Sequence, residues 1–365
     1  MPKTFLLLAV LLTAGGISAY AEGAVEAAQD VLDVIREIEQ TTTPSGGGTP
    51  APGSGWTWTE IPNSRFGSII QDFIYGNNRW VAVAGEWGYG NIAYSTDGVR
   101  WTVVGDSKLG GSQITAIAYG GNRFVAVGQG GKMAYSTDGV TWTAVANSRF
   151  PSTGDDVYSY YITAIAYGGG RFVAGGSDGK MAYSTNGQSW TAVANSTFSG
   201  AINGIAYGGD RFVAGGDNGK MAYSTDGVSW TAVSNSRFGA SHIRDIAYGG
   251  NRFVAVGADG KMAYSADGVS WTAVSNSRFG ASDNRISAIA YGGGRFVAVG
   301  EKGKTAYSAD GANWTAIADS TAFDYEWDGD FGTFPVDLIG IGYGNGKFIA
   351  GGWRNKMAYV NWDGN

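Results

Sequence analysis

The sequence predicts an all-β fold: a seven-bladed β-propeller whose blades are four-stranded antiparallel sheets. The first observation is a repeat, because the serine of an AYS element recurs after steps of 41, 48, 40, 41 and 43 residues. The second is that each unit holds four short apolar runs separated by turn signals. The third is that two markers of the unit each occur seven times. A period of this length is typical of solenoids and propellers.

The four runs of each unit predict four strands. We name them A (ITAIAYG), B (RFVAVG), C (KMAYS) and D (WTAV), from the copy that starts at Ile114. Gly-rich and Asp-Gly pairs separate the runs, which favours an antiparallel meander with tight turns. Strand A carries small residues and is expected at the axis, whereas strand D carries tryptophan and is expected at the rim. No helix fits between the runs.

The count of markers and the order of the runs predict how the ring closes. B runs begin at seven aromatic residues, from Trp80 to Phe348, and seven tryptophans from Trp58 to Trp314 mark the D runs. The first unit starts with a lone D run at Trp58, and the last unit ends with C at Tyr359. We therefore expect the N-terminal strand to complete the last blade, so that no sheet edge stays open.

Composition excludes several function classes. The chain has 365 residues with 25 Lys and Arg against 31 Asp and Glu, 13% aromatic residues and no Cys. The absence of Cys excludes disulfides, thiol catalysis and Cys-ligated metals. A single histidine, His242, argues against histidine-rich metal sites and a Ser-His-Asp triad. The acidic balance argues against nucleic acid as a partner.

The N-terminal segment has the pattern of a targeting sequence. Lys3 precedes an apolar stretch, and Ala19-Tyr20-Ala21 gives a small-x-small cleavage pattern, so residues 1–21 are expected to be a signal peptide. The alternative is a membrane anchor, for which the stretch is short. Cleavage predicts export to a bacterial periplasm or beyond, as a periplasmic or secreted protein with no remaining membrane span.

Two further segments are expected between the signal peptide and the propeller. Residues 22–40 contain an amphipathic helix over 24–39, with a face that predicts docking or oligomerisation. Residues 41–55 are a Thr/Pro/Gly/Ser linker. The propeller is then expected to occupy residues 56–365.

The turn between strands C and D resembles a known repeat. It reads S-T-D-G-V-x-W from Ser95, Ser136 and Ser224, with Asn186 in place of one aspartate. This resembles the Asp-box, or bacterial neuraminidase repeat, of sialidase-like and photosystem II assembly-factor-like propellers. The resemblance implies that the serine and the aspartate brace the C–D hairpin while the tryptophan packs into the blade. It does not fix a function, since such propellers include hydrolases, lectin-like binders and assembly factors.

The two faces of the predicted propeller differ in their variability. The A–B and C–D turns barely vary, and the Arg or Lys before each B run, such as Arg79, is expected to pair there with the turn aspartates. The B–C turns and D–A loops on the opposite face carry the differences between units, and variable loops carry function more often than the repeated core.

Aromatic residues on the variable face predict a ligand site where blades 7 and 1 meet. Rings beside carboxylates and an arginine suit a sugar, whose C–H faces stack on the rings. The alternative is that these loops pack their own aromatic residues. The candidate ligand-binding residues are Trp87, Tyr89, Trp353, Arg354, Tyr325 and Trp327.

An acidic loop on the same face resembles the start of a calcium loop. Asp324, Glu326, Asp328 and Asp330 alternate in D-x-E-x-D-G-D, although position 12 is Pro335 rather than glutamate. The alternative is a solvated acidic loop. No other cofactor is expected.

These observations predict an exported, non-catalytic binding module that recognises a glycan or a cell-envelope protein. The first alternative is a protein-interaction or assembly scaffold without sugar binding, and the second is a sialidase-like glycoside hydrolase. Lysines of the GKM turns and arginines of NSRF-like loops, such as Lys261 and Arg237, also form a repeated cationic ring that suits an anionic polymer.

Overall fold

A computed structural model describes residues 56–62, 66–86, 89–151, 160–280, 284–318, 321–326 and 333–362. These residues form seven four-stranded antiparallel sheets and one small hairpin. The described helical segments are three-residue 3-10 turns. The prediction of an all-β seven-bladed propeller is confirmed. The expected signal peptide, helix and linker lie outside the described residues.

The strands of each blade follow the order A, B, C and D in space. In blades 1 to 3 they are Ile70–Gly76, Arg79–Glu86, Tyr89–Ser95 and Thr102–Val103; Ile114–Gly120, Arg123–Gly128, Met133–Ser136 and Thr143–Ala144; and Ile162–Gly168, Arg171–Gly176, Met181–Ser184 and Thr191–Ala192. In blades 4 to 6 they are Ile202–Gly208, Arg211–Gly216, Met221–Ser224 and Thr231–Ala232; Ile243–Gly249, Arg252–Gly257, Met262–Ser265 and Thr272–Ala273; and Ile286–Gly292, Arg295–Gly300, Thr305–Ser308 and Thr315–Ala316. Blade 7 has Leu338–Gly344, Lys347–Gly352 and Met357–Asn361 as strands A to C.

Blade 7 takes its outermost strand from the start of the described chain. Thr59–Glu60 pairs antiparallel with strand C of blade 7, with Thr59 opposite Tyr359 and Glu60 opposite Ala358. The Ile61 N–H extends this pairing by donating to the Met357 carbonyl at 2.9 Å. The first and last segments of the propeller therefore share one sheet.

Every strand A contains a β-bulge after its first residue. The pairing with strand B shifts between the first and third residues, for example between Ile70 and Asp72 in blade 1 and between Ile114 and Ala116 in blade 2. A bulge adds one residue to one strand and redirects its side chain. The second residue of strand A consequently lines the axis in all seven blades.

The core lies between adjacent blades. Strand B is buried along its length, as in Phe124–Gly128, because both of its faces pack against neighbouring sheets. The tryptophan that precedes each strand D is also buried and closes the layer at the rim, as Trp142 does between blades 1 and 2. Burial of such large rings contributes several kcal/mol each, about 25 cal/mol per Å².

The C–D turn is held by its own serine and aspartate. In blade 2 the Ser136 hydroxyl donates to Asp138 Oδ1 at 2.8 Å and accepts from the Gly139 N–H. Asp138 Oδ1 also accepts from the N–H groups of Val140 and Thr141, both at 2.8 Å. These bonds satisfy turn donors that would otherwise have no partner.

The cations before strand B contact the turns differently from what the sequence analysis expected. The sequence analysis expected these cations to pair with the carboxylates of the turn aspartates, and this was wrong. Arg79 Nη1 instead donates to the main-chain carbonyl of Asp138 at 2.9 Å. Lys347 Nζ donates in the same way to the Asp97 carbonyl at 2.8 Å. The Arg79 guanidinium also lies 4.9 Å from the centre of the Tyr94 ring. These cations thus join adjacent blades through main-chain carbonyls, while Arg79 and Lys347 each lie over a ring of their own blade.

Candidate functional site

The face that carries the B–C turns and D–A loops contains an axial cavity. Its volume is about 290 Å³, and residues from strand A of all seven blades line it. The lining positions are the second and third of each strand A: Gln71 and Asp72, Thr115 and Ala116, Thr163 and Ala164, Asn203 and Gly204, Arg244 and Asp245, Ser287 and Ala288, and Ile339 and Gly340. Because strand A starts at the D–A loop, this cavity opens toward the variable face.

Two half-buried aspartates occupy equivalent positions in the cavity. Asp72 Oδ1 accepts from the Phe73 N–H at 2.8 Å, and Oδ2 accepts from the Ile117 N–H of blade 2 at 3.0 Å. Asp245 makes the same pair of bonds with Ile246 and with Ile289 of blade 6. Each carboxyl group therefore bridges the inner edges of two blades.

Burial dominates the titration of both aspartates. It raises the pKa of Asp72 to about 7, although the N–H of Ile117 partly opposes the rise, and the nearby charge of Asp245 adds to it. Burial likewise raises the pKa of Asp245 to about 7 against the N–H bonds from Ile289 and Ile246. Both groups thus change charge close to neutral pH.

Two arginines stand at the mouth of the cavity. Arg285 Nε donates to Ser287 Oγ at 3.2 Å, and the guanidinium lies 3.7 Å from both Glu301 and Asp337. Arg244 makes no ion pair or hydrogen bond with the described residues, and its buried Nε has no partner. Burial lowers the pKa of Arg244, and the charge of Arg285 lowers it further, while the carboxylates of Asp217 and Glu301 partly oppose the change.

The rim carboxylate nearest to blade 5 has several partners. His242 Nδ1 lies 2.8 Å from Asp217 Oδ1, and Asn203 Nδ2 donates to the same oxygen at 3.2 Å. Asp217 Oδ2 accepts from the Ala201 N–H. The single histidine thus ties the D–A loop of blade 5 to the B–C turn of blade 4.

Exposed aromatic side chains concentrate on blades 7 and 1. Among the described residues, the large hydrophobic side chains that are exposed are Tyr89 (73%), Phe334 (53%) and Trp353 (45%). The Arg354 guanidinium lies 5.0 Å from the centre of the Tyr325 ring, and Tyr325 is paired with Phe334 across the small hairpin. We call Tyr325, Phe334, Trp353 and Arg354 the blade 7 aromatic cluster.

The predicted ligand residues are only partly brought together. The structure joins Tyr325 and Arg354 directly, and Trp353 precedes Arg354 in the same B–C turn. Tyr89 lies in the B–C hairpin of blade 1, opposite Glu86. Trp87 and Trp327 lie outside the described residues. The alternative, that the loops pack their own rings, applies to Phe323. Its side chain is buried, and its ring centre lies 5.2 Å from the ring centre of Trp58.

The acidic loop begins as a strand. Asp324–Glu326 pairs with Thr333–Pro335 in the small hairpin, and Asp328 and Asp330 lie outside the described residues. Within the part of the chain that the structure describes, no three Asp, Glu, His or Cys side chains form a group able to hold a metal ion. Calcium binding by the loop stays a prediction.

The repeated cations of this face have internal partners. Lys261 Nζ donates to the Phe238 carbonyl at 2.9 Å, and Lys304 Nζ does so to the Phe279 carbonyl. Arg237 Nε donates to the carbonyl of Trp271 on the next blade at 2.8 Å. These contacts show that the cations connect loops and blades, which weakens the anionic-polymer alternative.

Sequence reasoning missed the axial residues. The signal lay in the copies of strand A, whose second and third residues are QD, TA, TA, NG, RD, SA and IG while the rest of the strand hardly changes. These are the most varied positions of the innermost strand, and the bulge turns them toward the axis.

Comparisons with known proteins support the fold. A family model described as the DUF6242 beta propeller domain matches residues 160–276. A comparison with curated protein sequences finds no significant match. Among described residues, no helix is long and apolar enough to cross a membrane.

Solved propellers superimpose on most of the chain at low identity. YCF48 from Cyanidioschyzon merolae is 15% identical with a TM-score of 0.60, covering 84% of this chain and 99% of its own. A structure of YCF48 bound to a D1 peptide is also 15% identical with a TM-score of 0.63, covering 88% and 100%. The WD40 propeller domain of Doa1 is 10% identical with a TM-score of 0.55, covering 80% and 93%. These similarities show the propeller fold.

Proposed function

We propose that this protein is a non-catalytic binding module that recognises a polypeptide partner through the face bearing the B–C turns and D–A loops. The observation that carries the proposal is that the exposed large hydrophobic side chains of the described residues all lie on two adjacent blades, Tyr89 on blade 1 and Phe334 and Trp353 on blade 7. Exposed aromatic residues are enriched at the anchoring positions of protein interfaces.

The turn that presents Trp353 has the same backbone geometry as the equivalent turns of four other blades. The neighbouring Arg354 has φ 58°, and equivalent residues in four other blades, such as Asp259, have φ between 54° and 57°. The Lys356 N–H closes the turn by donating to the Trp353 carbonyl at 3.2 Å. A ring held on a fixed turn loses little conformational entropy when a partner covers it.

A likeness to other propellers supports the same proposal. The fold is similar to that of YCF48, which has been solved with a bound D1 peptide. The C–D turn sequences remain the support for a proposed relationship with Asp-box propellers. Together with the predicted signal peptide, these points favour a protein of the bacterial cell envelope as the partner.

The blade 7 aromatic cluster favours a glycan as the second candidate ligand. The Arg354 guanidinium stacks on the Tyr325 ring, which leaves a ring and a multiple hydrogen-bond donor side by side. Sugars use such pairs, since C–H faces contact rings and hydroxyls bond to charged groups.

Purified full-length protein, screened on a random dodecapeptide library and a glycan array, tests the proposal. We expect saturable peptide binding that falls at least tenfold in Trp353→Ala. This variant should fold normally, because Ala258 occupies the equivalent turn position in blade 5. Thr231→Ala, on the exposed outer strand of blade 4, is the matched control.

Two results would contradict the proposal. If the wild type and Trp353→Ala bound peptides equally well, the exposed aromatic rings would not be part of the binding site. Glycan binding without peptide binding, lost in Trp353→Ala, would replace the polypeptide by a sugar.

A further inference from the structure

The axial cavity carries a second site, which is separate from the blade 7 aromatic cluster. It holds one guanidinium, that of Arg244, without an ion pair or hydrogen bond to a described residue. Asp217 and Glu301 attract Arg244 from beyond contact distance, but their close contacts are with other groups, since Asp217 contacts His242 and Asn203, and Glu301 flanks Arg285. A partly buried arginine with no carboxylate in direct contact is stabilised when a ligand supplies one at hydrogen-bond distance.

The protein itself shows how this cavity accommodates a carboxylate. Asp72 and Asp245 each place their two oxygens on N–H groups from adjacent strands A, at 2.7 to 3.0 Å. For each aspartate, one of the two donors is the fourth residue of strand A in the next blade, which is Ile117 for Asp72 and Ile289 for Asp245. That N–H points toward the axis and takes no part in the pairing of strands A and B.

The same main-chain N–H groups exist in blades 3 and 4, where the preceding blade offers no carboxylate to them. Ile165 and Ile205 are the fourth residues of their strands, in the same register as Ile117, and both line the cavity. The residues on the preceding blades that would match Asp72 are Ala116 and Ala164. Alanine has no side-chain acceptor, so no carboxylate of the preceding blade occupies these N–H groups, and Arg244 lines the same cavity.

We propose that the axial cavity binds a carboxylate group, with Arg244 as its charge partner and the N–H groups of Ile165 and Ile205 as its donors. The volume of about 290 Å³ admits a small organic acid or the last residues of a polypeptide. Both sources present the same two oxygens, and charge-assisted bonds to arginine recognise them.

Isothermal titration of the full-length protein tests the proposal with three probes: succinate, acetyl-triglycine with a free carboxyl, and its C-terminal amide. We expect the free carboxyl of at least one probe to bind saturably and the amide not to bind. Binding of the peptide acid alone assigns a polypeptide chain end, whereas binding of succinate assigns a small acid. An Nε–H nuclear magnetic resonance signal lost in Arg244→Thr should shift on binding.

Two variants use residues that the repeat already accepts. Arg244→Thr copies Thr115 and Thr163 and should weaken binding at least tenfold. Ala164→Asp copies Asp72, should place an internal carboxylate on Ile205 N–H, and should abolish binding while the protein stays folded by circular dichroism. Thr231→Ala should bind as the wild type does.

The proposal is overturned if no carboxylate probe binds, or if the acid and the amide of the peptide bind equally. It is also overturned if Arg244→Thr or Ala164→Asp binds as tightly as the wild type. Neither result affects the peptide-binding test at Trp353, which uses different residues.

Discussion

Gly344, the last residue of strand A in blade 7, lies against Tyr75 of blade 1. A Cβ atom built on Gly344 would lie 2.2 Å from the Cβ of Tyr75. The glycine that ends strand A meets the tyrosine of the next strand A in this way around the whole ring. The pairs are Gly76 and Tyr119, Gly120 and Tyr167, Gly168 and Tyr207, Gly208 and Tyr248, Gly249 and Tyr291, Gly292 and Tyr343, and Gly344 and Tyr75.

Replacing Gly344 by alanine should destabilise the contact between the first and last blades. We expect Gly344→Ala to lower the free energy of unfolding by about 1–3 kcal/mol, because the added methyl group overlaps the partly buried side chain of Tyr75. Urea unfolding followed by tryptophan fluorescence measures this change. Gly105→Ala is the control, since nothing lies within 4 Å of a Cβ at Gly105. Equal stabilities of the two variants would show that the ring accommodates the methyl group.

The two axial aspartates should make stability fall as the pH rises toward 8. Their pKa values in the folded protein, about 7, exceed the ordinary value of 3.8. Their stabilising contribution is therefore complete below about pH 4 and is lost as the pH rises through 7. Between pH 5 and 8 we expect each group to change the free energy of unfolding by up to about 3 kcal/mol.

The double variant Asp72→Ala/Asp245→Ala isolates this effect. Alanine is found at the same position in blades 2, 3 and 6, so the fold should persist. Guanidinium unfolding at pH 5 and pH 8 should show a smaller difference between the two pH values in the variant than in the wild type. The same difference in both proteins would assign the pH dependence to other groups.

The aspartate of the C–D turn should tolerate asparagine but not alanine. Partial burial raises the pKa of Asp226, but N–H bonds from Ser229 and Val228 outweigh it and lower the pKa to about 2. In blade 3 the amide oxygen of Asn186 accepts equivalent N–H bonds at 2.9 Å. We expect Asp226→Ala to cost about 1–2 kcal/mol of stability and Asp226→Asn clearly less.

Thermal unfolding at pH 7 compares these two variants. If asparagine and alanine destabilised equally, the carboxylate charge rather than the oxygen acceptor would hold the turn.

Replacing a lysine of the GKM turns should lower the stability of the protein while its binding to anionic polymers changes little. Lys261 Nζ is bonded to the Phe238 carbonyl at 2.9 Å, so Lys261→Met should destabilise the protein by about 1 kcal/mol. Retention on a heparin column should change little. A large loss of retention with unchanged stability would restore the cationic ring as a binding surface.

The fold could be predicted from the sequence because each blade repeats the same four strands. Residues such as Phe124 and Trp142 recur at fixed spacing, and strands of period two with Gly-rich turns allow few architectures. Tyr89 and Trp353 stand out in the sequence because they interrupt turns that are otherwise nearly identical, and both are exposed, while their part in binding stays a prediction.

The axial site could not be predicted in the same way. Its key residues, Arg244 and Asp72, lie in strand A, where a simple alternation does not show which side chains face the axis. The bulge between Ile70 and Asp72 decides that orientation, and it depends on pairing with strand B. The expected contact of Arg79 with a carboxylate was wrong for a related reason, since its reach to the Asp138 carbonyl depends on how blades pack.

The varied second and third residues of strand A have a consequence for how such a protein could change its ligand. Fourteen residues, two from each of seven blades, set the chemistry of the axis, and the surrounding scaffold accepts Asp, Arg, Asn, Thr, Ser, Gln, Ile, Ala or Gly there. Exchange of one blade for a copy of another would change some of the residues that line the cavity, while every blade kept a sequence already compatible with the fold. Recombination between repeats would therefore produce axial cavities with different ligand specificities.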